Sequence, residues 1–321
     1  MSFTVEKTIK TCRGKLLKLS HNSAALKCKM VLNVYIPKQF YENVSVAKNK
    51  IPSIFYLSGL TCTPENCTEK GFIQIQADKY GFAVIYPDTS PRNVTFPKDC
   101  KIDPNDWALG EGAGFYLDSD TLENFQMGTY ISEELPQSLA SSTDLFEDKI
   151  DFLNKRSIMG HSMGGMGALN FYLNSFERNS NGYVSCSAFA PVVNPTAVPW
   201  GQNAFKLYFK DYEHEGKKLD PTLILKNKDF SDKNLNILIS SGDADPFLEN
   251  QLKPQNLIDV VTEKNIKGIR VNIEPGYDHS YFFVSTFIPE HCEFHAKKLG
   301  CLLYTSPSPR DMRRSRMPSS A

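Results

Sequence analysis

The chain has 321 residues, and its 36 lysines and arginines balance its 36 aspartates and glutamates. A net charge of zero gives no electrostatic reason to expect a nucleic acid or an anionic membrane as a partner. No run approaches the ~18 apolar residues of a membrane span, and no apolar segment near the N-terminus predicts a secretory signal. The eight cysteines do not show the spacing of a disulfide-stabilised domain. This pattern is typical of reduced thiols in a cytoplasmic protein.

The first half of the chain alternates between short apolar runs and helical segments. In chain order, the patterns predict a strand at 33–37, a strand at 53–59, a helix at 71–80 and a strand at 82–88. Residues 89–120 contain several prolines and glycines and are expected to form loops. A helix over 129–141 should bend or restart near Pro136, because proline removes a backbone donor inside a helix.

The second half continues the alternation. In chain order, the expected elements are a strand at 156–160, a helix at 164–174, strands at 185–191 and 236–242, a helix at 257–265 and a strand at 269–275. Residues 194–230 form a polar excursion that is expected to hold short helices above the sheet. A final helix over 280–299 should be interrupted or bent at Pro289. These patterns predict one α/β domain over residues 1–300, with a mostly parallel sheet covered by helices on both faces.

The last segment, 301–321, differs in composition from the rest of the chain. It is rich in serine, proline and arginine and has no apolar periodicity. Such a segment buries too little surface to offset the entropy of ordering, so we expect it to be disordered. It also reads like vector or read-through sequence, which predicts a non-native tail. A basic tail that binds phosphate groups or a membrane is the alternative.

The sequence GHSMG at 160–164 carries the clearest chemical signal. It lies between a predicted strand and a predicted helix, where a Gly-x-Ser-x-Gly turn presents its serine as a nucleophile. The turn is so tight that the residues two positions away, Gly160 and Gly164, must be small. The alternative is a glycine-rich turn that only lets the helix pack closely. Together with the order of elements, the motif predicts an α/β-hydrolase fold with Ser162 as nucleophile.

A serine hydroxyl needs a base, and His279 is the predicted one. In this fold the partners follow in the order Ser, acid, His, and His279 follows the last predicted strand. His161 lies inside the motif and is expected to pack or bond locally. His291 and His295 lie four residues apart and would share a helix face as metal ligands, but no third ligand is evident, so no metal site is predicted.

The acid is expected in the loop after the strand at 236–242. Asp243 and Asp245 both lie in this loop, and Asp278 is a third candidate. Adjacent residues rarely point at each other, which disfavours Asp278 as the partner of His279. A turn-forming or helix-capping carboxylate is the alternative interpretation of Asp243. The residue pattern alone leaves the choice between Asp243 and Asp245 open.

The loop LSGLTCTPEN at 57–66 is expected to supply an oxyanion donor. Backbone amides near Leu60, together with that of Met163, form the predicted pair. The Thr-Pro sequence predicts that a helix begins at Pro64. Cys62 lies in the same loop and is interpreted either as a thiol that lines the acyl pocket or as a small buried apolar side chain.

Beyond the single motif, the chain resembles the S-formylglutathione hydrolases, also called the esterase D family. The matching stretches run from about residue 3 to 300 and include FYLSGLTCTPEN, DKYGFAVIYPDTSPR, GAGFY, EELPQ, GHSMGGMGAL, SAFAPVVNP, DPFL, GYDHSYFFVSTFIPEH and HAKKLG. The resemblance implies these catalytic and oxyanion residues: Ser162, Asp245, His279, and the amides of Leu60 and Met163.

The same resemblance implies hydrolysis of S-formylglutathione to formate and glutathione, a step in formaldehyde detoxification, with no cofactor. It further implies that Trp200 lies near the substrate, that the location is cytoplasmic and that the protein is a homodimer. One departure is DWALG at 106–110, where the family has SWDFG, which would alter the pocket wall. The alternatives are a general carboxylesterase for small acyl esters and a non-catalytic binding protein on a hydrolase scaffold.

Overall fold

The structure, a computed structural model, describes residues 2–42, 50–96, 107–176 and 182–301. Of the predicted tail at 301–321, residues 302–321 lie outside the described part of the chain, as does Asp106 of the DWALG segment. In the described part of the chain the strands are β1 Thr4–Thr11, β2 Gly14–Ser23, β3 Cys28–Ile36, β4 Ser53–Leu57, β5 Ala83–Pro87, β6 Arg156–His161, β7 Cys186–Phe189, β8 Asn234–Gly242 and β9 Lys267–Glu274.

These strands form one sheet in the order β1-β2-β3-β5-β4-β6-β7-β8-β9. The pairs β1–β2, β2–β3 and β3–β5 are antiparallel, and every pair from β5 to β9 is parallel. All residues of β4, β5, β6 and β7 are buried, which explains why the sequences of β4 and β5 are nearly continuous apolar runs rather than alternating ones. The prediction of a mostly parallel sheet is confirmed.

The helices alternate with the strands along the chain. They are α1 Pro64–Lys70, α2 Ile73–Tyr80, α3 Met127–Thr129, α4 Leu135–Ser141, α5 Thr143–Phe146, α6 Met163–Ser175, α7 Pro199–Tyr208, α8 Tyr212–Lys218, α9 Pro221–Asn227, α10 Pro254–Glu263 and α11 Tyr281–Leu299. A π-helical turn, Tyr130–Glu134, joins α3 to α4 just before Pro136. The short helices α7, α8 and α9 occupy the polar excursion, as expected.

Neighbouring residues of β7 show that α6 and α11 cover opposite faces of the sheet. The Ser187 hydroxyl contacts the His295 ring of α11 at 2.8 Å. A Cβ built on Gly165 of α6 would lie 3.3 Å from Cβ of Ala188. Successive residues of a strand point to opposite faces, so the two helices lie on opposite sides.

Helix α11 runs without a break through Pro289, so of the two expected outcomes, interruption or bending, the interruption does not occur. Buried side chains lie on both sides of this proline, including Val284, Ile288 and Cys292. Packing of this face stabilises both halves of the helix and outweighs the one hydrogen bond that proline removes.

Candidate active site

The turn between β6 and α6 holds Ser162 in an unusual backbone conformation. Its φ is 57° and its ψ is −118°, a combination that costs about 1–3 kcal/mol and persists only where the surroundings enforce it. Two hydrogen bonds fix the turn: the Ser162 amide donates to the Phe189 carbonyl at 2.9 Å, and the Met166 amide donates to the Ser162 carbonyl at 3.0 Å. Strain of this kind is typical of a nucleophile turn.

The two glycines of the motif are required by close backbone contacts. A Cβ on Gly160 would lie 2.1 Å from the carbonyl oxygen of Gly164, and a Cβ on Gly164 would lie 2.0 Å from that of Leu57. Both distances are far below van der Waals contact. Helix α6 therefore lies directly against the ends of β4 and β6, which only glycine at these positions permits.

The imidazole of His279 is bonded to a buried carboxylate. His279 Nδ1 lies 2.5 Å from Oδ2 of Asp245, and Oδ1 of Asp245 accepts the Phe247 amide at 2.8 Å. Asp245 follows β8 and His279 follows β9, and because these strands are parallel neighbours, both residues lie at the same edge of the sheet. With its Nδ1 proton donated to the carboxylate, the ring keeps Nε2 as its basic nitrogen.

Ring contacts bring His279 to the nucleophile turn. Its ring centroid lies 4.8 Å from that of His161, the residue before Ser162. A Cβ on Gly59 would lie 3.2 Å from Cβ of Ser162, so the loop after β4 also contacts the turn. The loops that follow β4, β6, β8 and β9 thus meet at the carboxyl ends of the parallel strands.

The other two candidate acids have local partners. Oδ1 of Asp243 accepts the Gly276 amide at 2.6 Å, which joins the loops that follow β8 and β9. Asp278 accepts the Ser280 amide at 3.0 Å and its hydroxyl at 2.6 Å, and these bonds hold the pKa of its carboxyl below the usual range. Of the three, only Asp245 bonds to His279.

The oxyanion prediction names two backbone amides, those of Met163 and Leu60. Met163 is the first residue of α6, where a backbone N–H has no acceptor within the helix. Leu60 lies in the turn that follows Gly59. Among the hydrogen bonds of the described residues, neither amide donates to a protein acceptor. Both donors are therefore available to a developing negative charge.

Similarity to known proteins agrees with this geometry. The family model named Esterase matches residues 23–294. The chain is 47% identical to the S-formylglutathione hydrolase of Saccharomyces cerevisiae, over 93% of this chain and 99% of that protein. The chain belongs to the S-formylglutathione hydrolase family. It is also 40% identical to the S-formylglutathione hydrolase of Rattus norvegicus, over 90% of this chain and 96% of the relative.

A solved structure supports membership of this family. The S-formylglutathione hydrolase from Agrobacterium tumefaciens superposes with a TM-score of 0.79 at 33% identity, covering 92% of this chain and 99% of that one. The α/β-hydrolase fold predicted from the motif and the order of elements is confirmed.

Two residues that the family resemblance and the loop pattern single out lie near this site. Trp200 packs against Phe247 with ring centroids 4.7 Å apart, and Phe247 contacts the His279 ring edge-on at 5.1 Å. Sequence reasoning missed Phe247, whose only signal is its place two residues after Asp245. The Cys62 thiol is partly buried, and burial raises its pKa, so it is protonated at neutral pH and a poor nucleophile.

The two histidines of α11 have structural partners. His295 contacts the hydroxyls of Ser185 and Ser187, each at 2.8 Å, and His291 contacts that of Ser240 at 3.1 Å. Burial lowers the pKa of both rings, that of His295 to about 3. The described residues contain no group of three side chains suited to a metal ion, and none of their helices meets the length and apolarity of a membrane span.

Proposed function

We propose that the protein hydrolyses S-formylglutathione to formate and glutathione through an acyl-enzyme on Ser162. The observation that carries the proposal is the 2.5 Å bond between His279 Nδ1 and Asp245, made by a ring that contacts the nucleophile turn. The substrate comes from the family, whose yeast and rat members are named for this activity.

In the proposed reaction, His279 accepts the hydroxyl proton of Ser162 as its oxygen attacks the formyl carbon. Asp245 fixes the ring tautomer and stabilises the imidazolium. The amides of Leu60 and Met163 stabilise the oxyanion until the carbon–sulfur bond breaks and glutathione leaves as a thiol, with the proton from the imidazolium. A water molecule, deprotonated by the same ring, then attacks the formyl ester, and the imidazolium returns the proton to the Ser162 oxygen as the ester bond breaks and formate leaves.

The direct test is Ser162→Ala, which removes the nucleophile. We expect its kcat/KM for S-formylglutathione to fall by at least about 10⁴-fold, since little beyond the oxyanion donors and binding remains. Ser142→Ala is a matched control, because this serine is also buried and donates to the Ser138 carbonyl at 2.9 Å. Retained turnover by Ser162→Ala would contradict the proposal.

A general carboxylesterase would use the same residues, so substrate preference separates the two. Comparing kcat/KM for S-formylglutathione with that for an aryl acetate decides between them, and we expect the thioester to be preferred. A binding protein without catalysis would give neither activity and no labelling by a fluorophosphonate.

We also propose a cytoplasmic location and a homodimer. The cysteines of the described residues carry free thiols, which fits a reducing compartment. The dimer rests on the family resemblance alone. Light scattering of the purified protein tests it: twice the chain mass is expected, and a single chain mass would contradict it.

A further inference from the structure

The loop that presents the Leu60 amide has a backbone that its own residues do not favour. Thr61 has a φ of 65°, in the left-handed region that a β-branched residue avoids. The Cys62 amide donates to the Gly59 carbonyl at 3.3 Å and closes a turn around Leu60. Such a conformation persists only where surrounding groups hold it.

The segment that follows β5 supplies those groups. The Cys62 carbonyl accepts two hydrogen bonds, from Oγ1 of Thr89 at 2.6 Å and from Nη2 of Arg92 at 3.1 Å. The neighbouring Thr61 amide donates to the Gly112 carbonyl at 2.9 Å. The second half of the strained turn is therefore held by residues outside it.

Arg92 is itself fixed by a carboxylate. Its Nε lies 2.7 Å from Oδ2 of Asp88 and its Nη2 lies 2.9 Å from Oδ1. Burial raises the pKa of Asp88, while the guanidinium opposes that rise. Glu111 lies 3.9 Å from Nη1. A forked pair of this kind orients the guanidinium, which lysine could not match with its single ammonium.

We propose that Thr89 and Arg92 are positioning residues that hold the oxyanion turn, and with it the Leu60 amide, through the Cys62 carbonyl. The inference rests on the proposed function, because Leu60 matters only if an oxyanion forms. The Cys62 carbonyl lies two residues beyond the amide, so its movement tilts the turn. A misplacement of about 1 Å at a reacting centre costs about 10²-fold in rate.

Thr89→Val is the sharpest test. Valine keeps the shape of threonine and leaves the Asp88–Arg92 pair intact, but it removes the 2.6 Å bond to Cys62. We expect kcat to fall about tenfold with KM within about threefold, because the bond positions a transition-state donor rather than the substrate. Inactivation by a fluorophosphonate should slow in proportion, since phosphonylation uses the same oxyanion donors.

Thr222→Val is the matched control. Thr222 is also buried and its hydroxyl donates to the Val193 carbonyl at 2.9 Å, outside the loops that form the candidate site. We expect a similar drop in the unfolding midpoint and an unchanged kcat. A Thr89→Val enzyme with kcat within twofold of wild type, or with its loss confined to KM, would overturn the inference.

Arg92→Lys keeps a positive charge beside Asp88 but loses the forked guanidinium. It tests the positioning role if Thr89→Val does not fold. We expect about a tenfold loss in kcat, and an unchanged kcat in this folded variant would overturn the inference. Ser162→Ala distinguishes failure of the proposed function from failure of the positioning role. If this variant stays active, the proposed function fails. If it is inactive while Thr89→Val and Arg92→Lys match wild type, only the positioning role fails.

Discussion

Asp245→Asn changes a single atom of the carboxylate that holds His279. In the native protein, Oδ1 accepts the Phe247 amide at 2.8 Å and Oδ2 contacts His279 Nδ1 at 2.5 Å. Only the carbonyl oxygen of asparagine can accept the Phe247 N–H, so the amide orientation is fixed. Its NH₂ group then faces Nδ1 and donates to it, which forces the ring proton onto Nε2.

A ring that carries its proton on Nε2 cannot accept one from Ser162. We therefore expect kcat/KM to fall about 10⁴-fold, or about 5.5 kcal/mol in activation free energy, with the fold unchanged. The assay is S-formylglutathione hydrolysis at neutral pH, with unfolding midpoints measured alongside. Asp243→Asn is the control: asparagine can still accept the Gly276 amide that Asp243 accepts now, so activity should stay within about threefold. An Asp245→Asn enzyme within tenfold of wild type would refute the reasoning.

Three further outcomes are expected. Gly164→Ala should lower the free energy of unfolding by about 3 kcal/mol or more, since its Cβ would lie 2.0 Å from the Leu57 oxygen; an unchanged urea midpoint would contradict this. His295 has a pKa of about 3 when folded and about 6.5 when unfolded. Between those values only the unfolded chain takes up this proton, so stability falls on acidification, by about 1.4 kcal/mol per pH unit from this group. The free energy of unfolding, measured with urea between about pH 6 and 5, should depend less steeply on pH in His295→Asn than in the wild type. An identical pH dependence would argue against a neutral buried ring. Cys62→Ser should keep kcat/KM within about tenfold, because the thiol is protonated; complete loss in a folded variant would point to a role in catalysis.

Sequence patterns predict the central strands but not the antiparallel edge. The runs in β4 and β5 are almost entirely apolar because both of their faces are covered. Strand β1 is exposed or half-exposed along its whole length, so its sequence has no apolar alternation that would mark a buried face, although five of its eight residues are β-branched. The continuity of α11 through Pro289 was equally hidden, because it depends on side-chain packing against the rest of the fold.

Within the site, the sequence predicts the features that depend on neighbouring residues but not those that depend on contacts distant in the chain. The nucleophile turn is local, so the spacing of Gly160, Ser162 and Gly164 identifies it. The choice between Asp243 and Asp245 depends on which carboxylate faces the loop after β9, a contact across strands that no spacing encodes. The bonds from Thr89 and Arg92 to the Cys62 carbonyl span 27 and 30 residues, and sequence reasoning missed both.

The most direct test of the account is the site of covalent labelling by a fluorophosphonate, located by peptide mass spectrometry. We expect one adduct, on Ser162, and its loss in His279→Ala, since the hydroxyl needs the imidazole as base. An adduct on any other residue, or a folded wild-type protein that takes no label, would contradict the assignment of Ser162 as nucleophile.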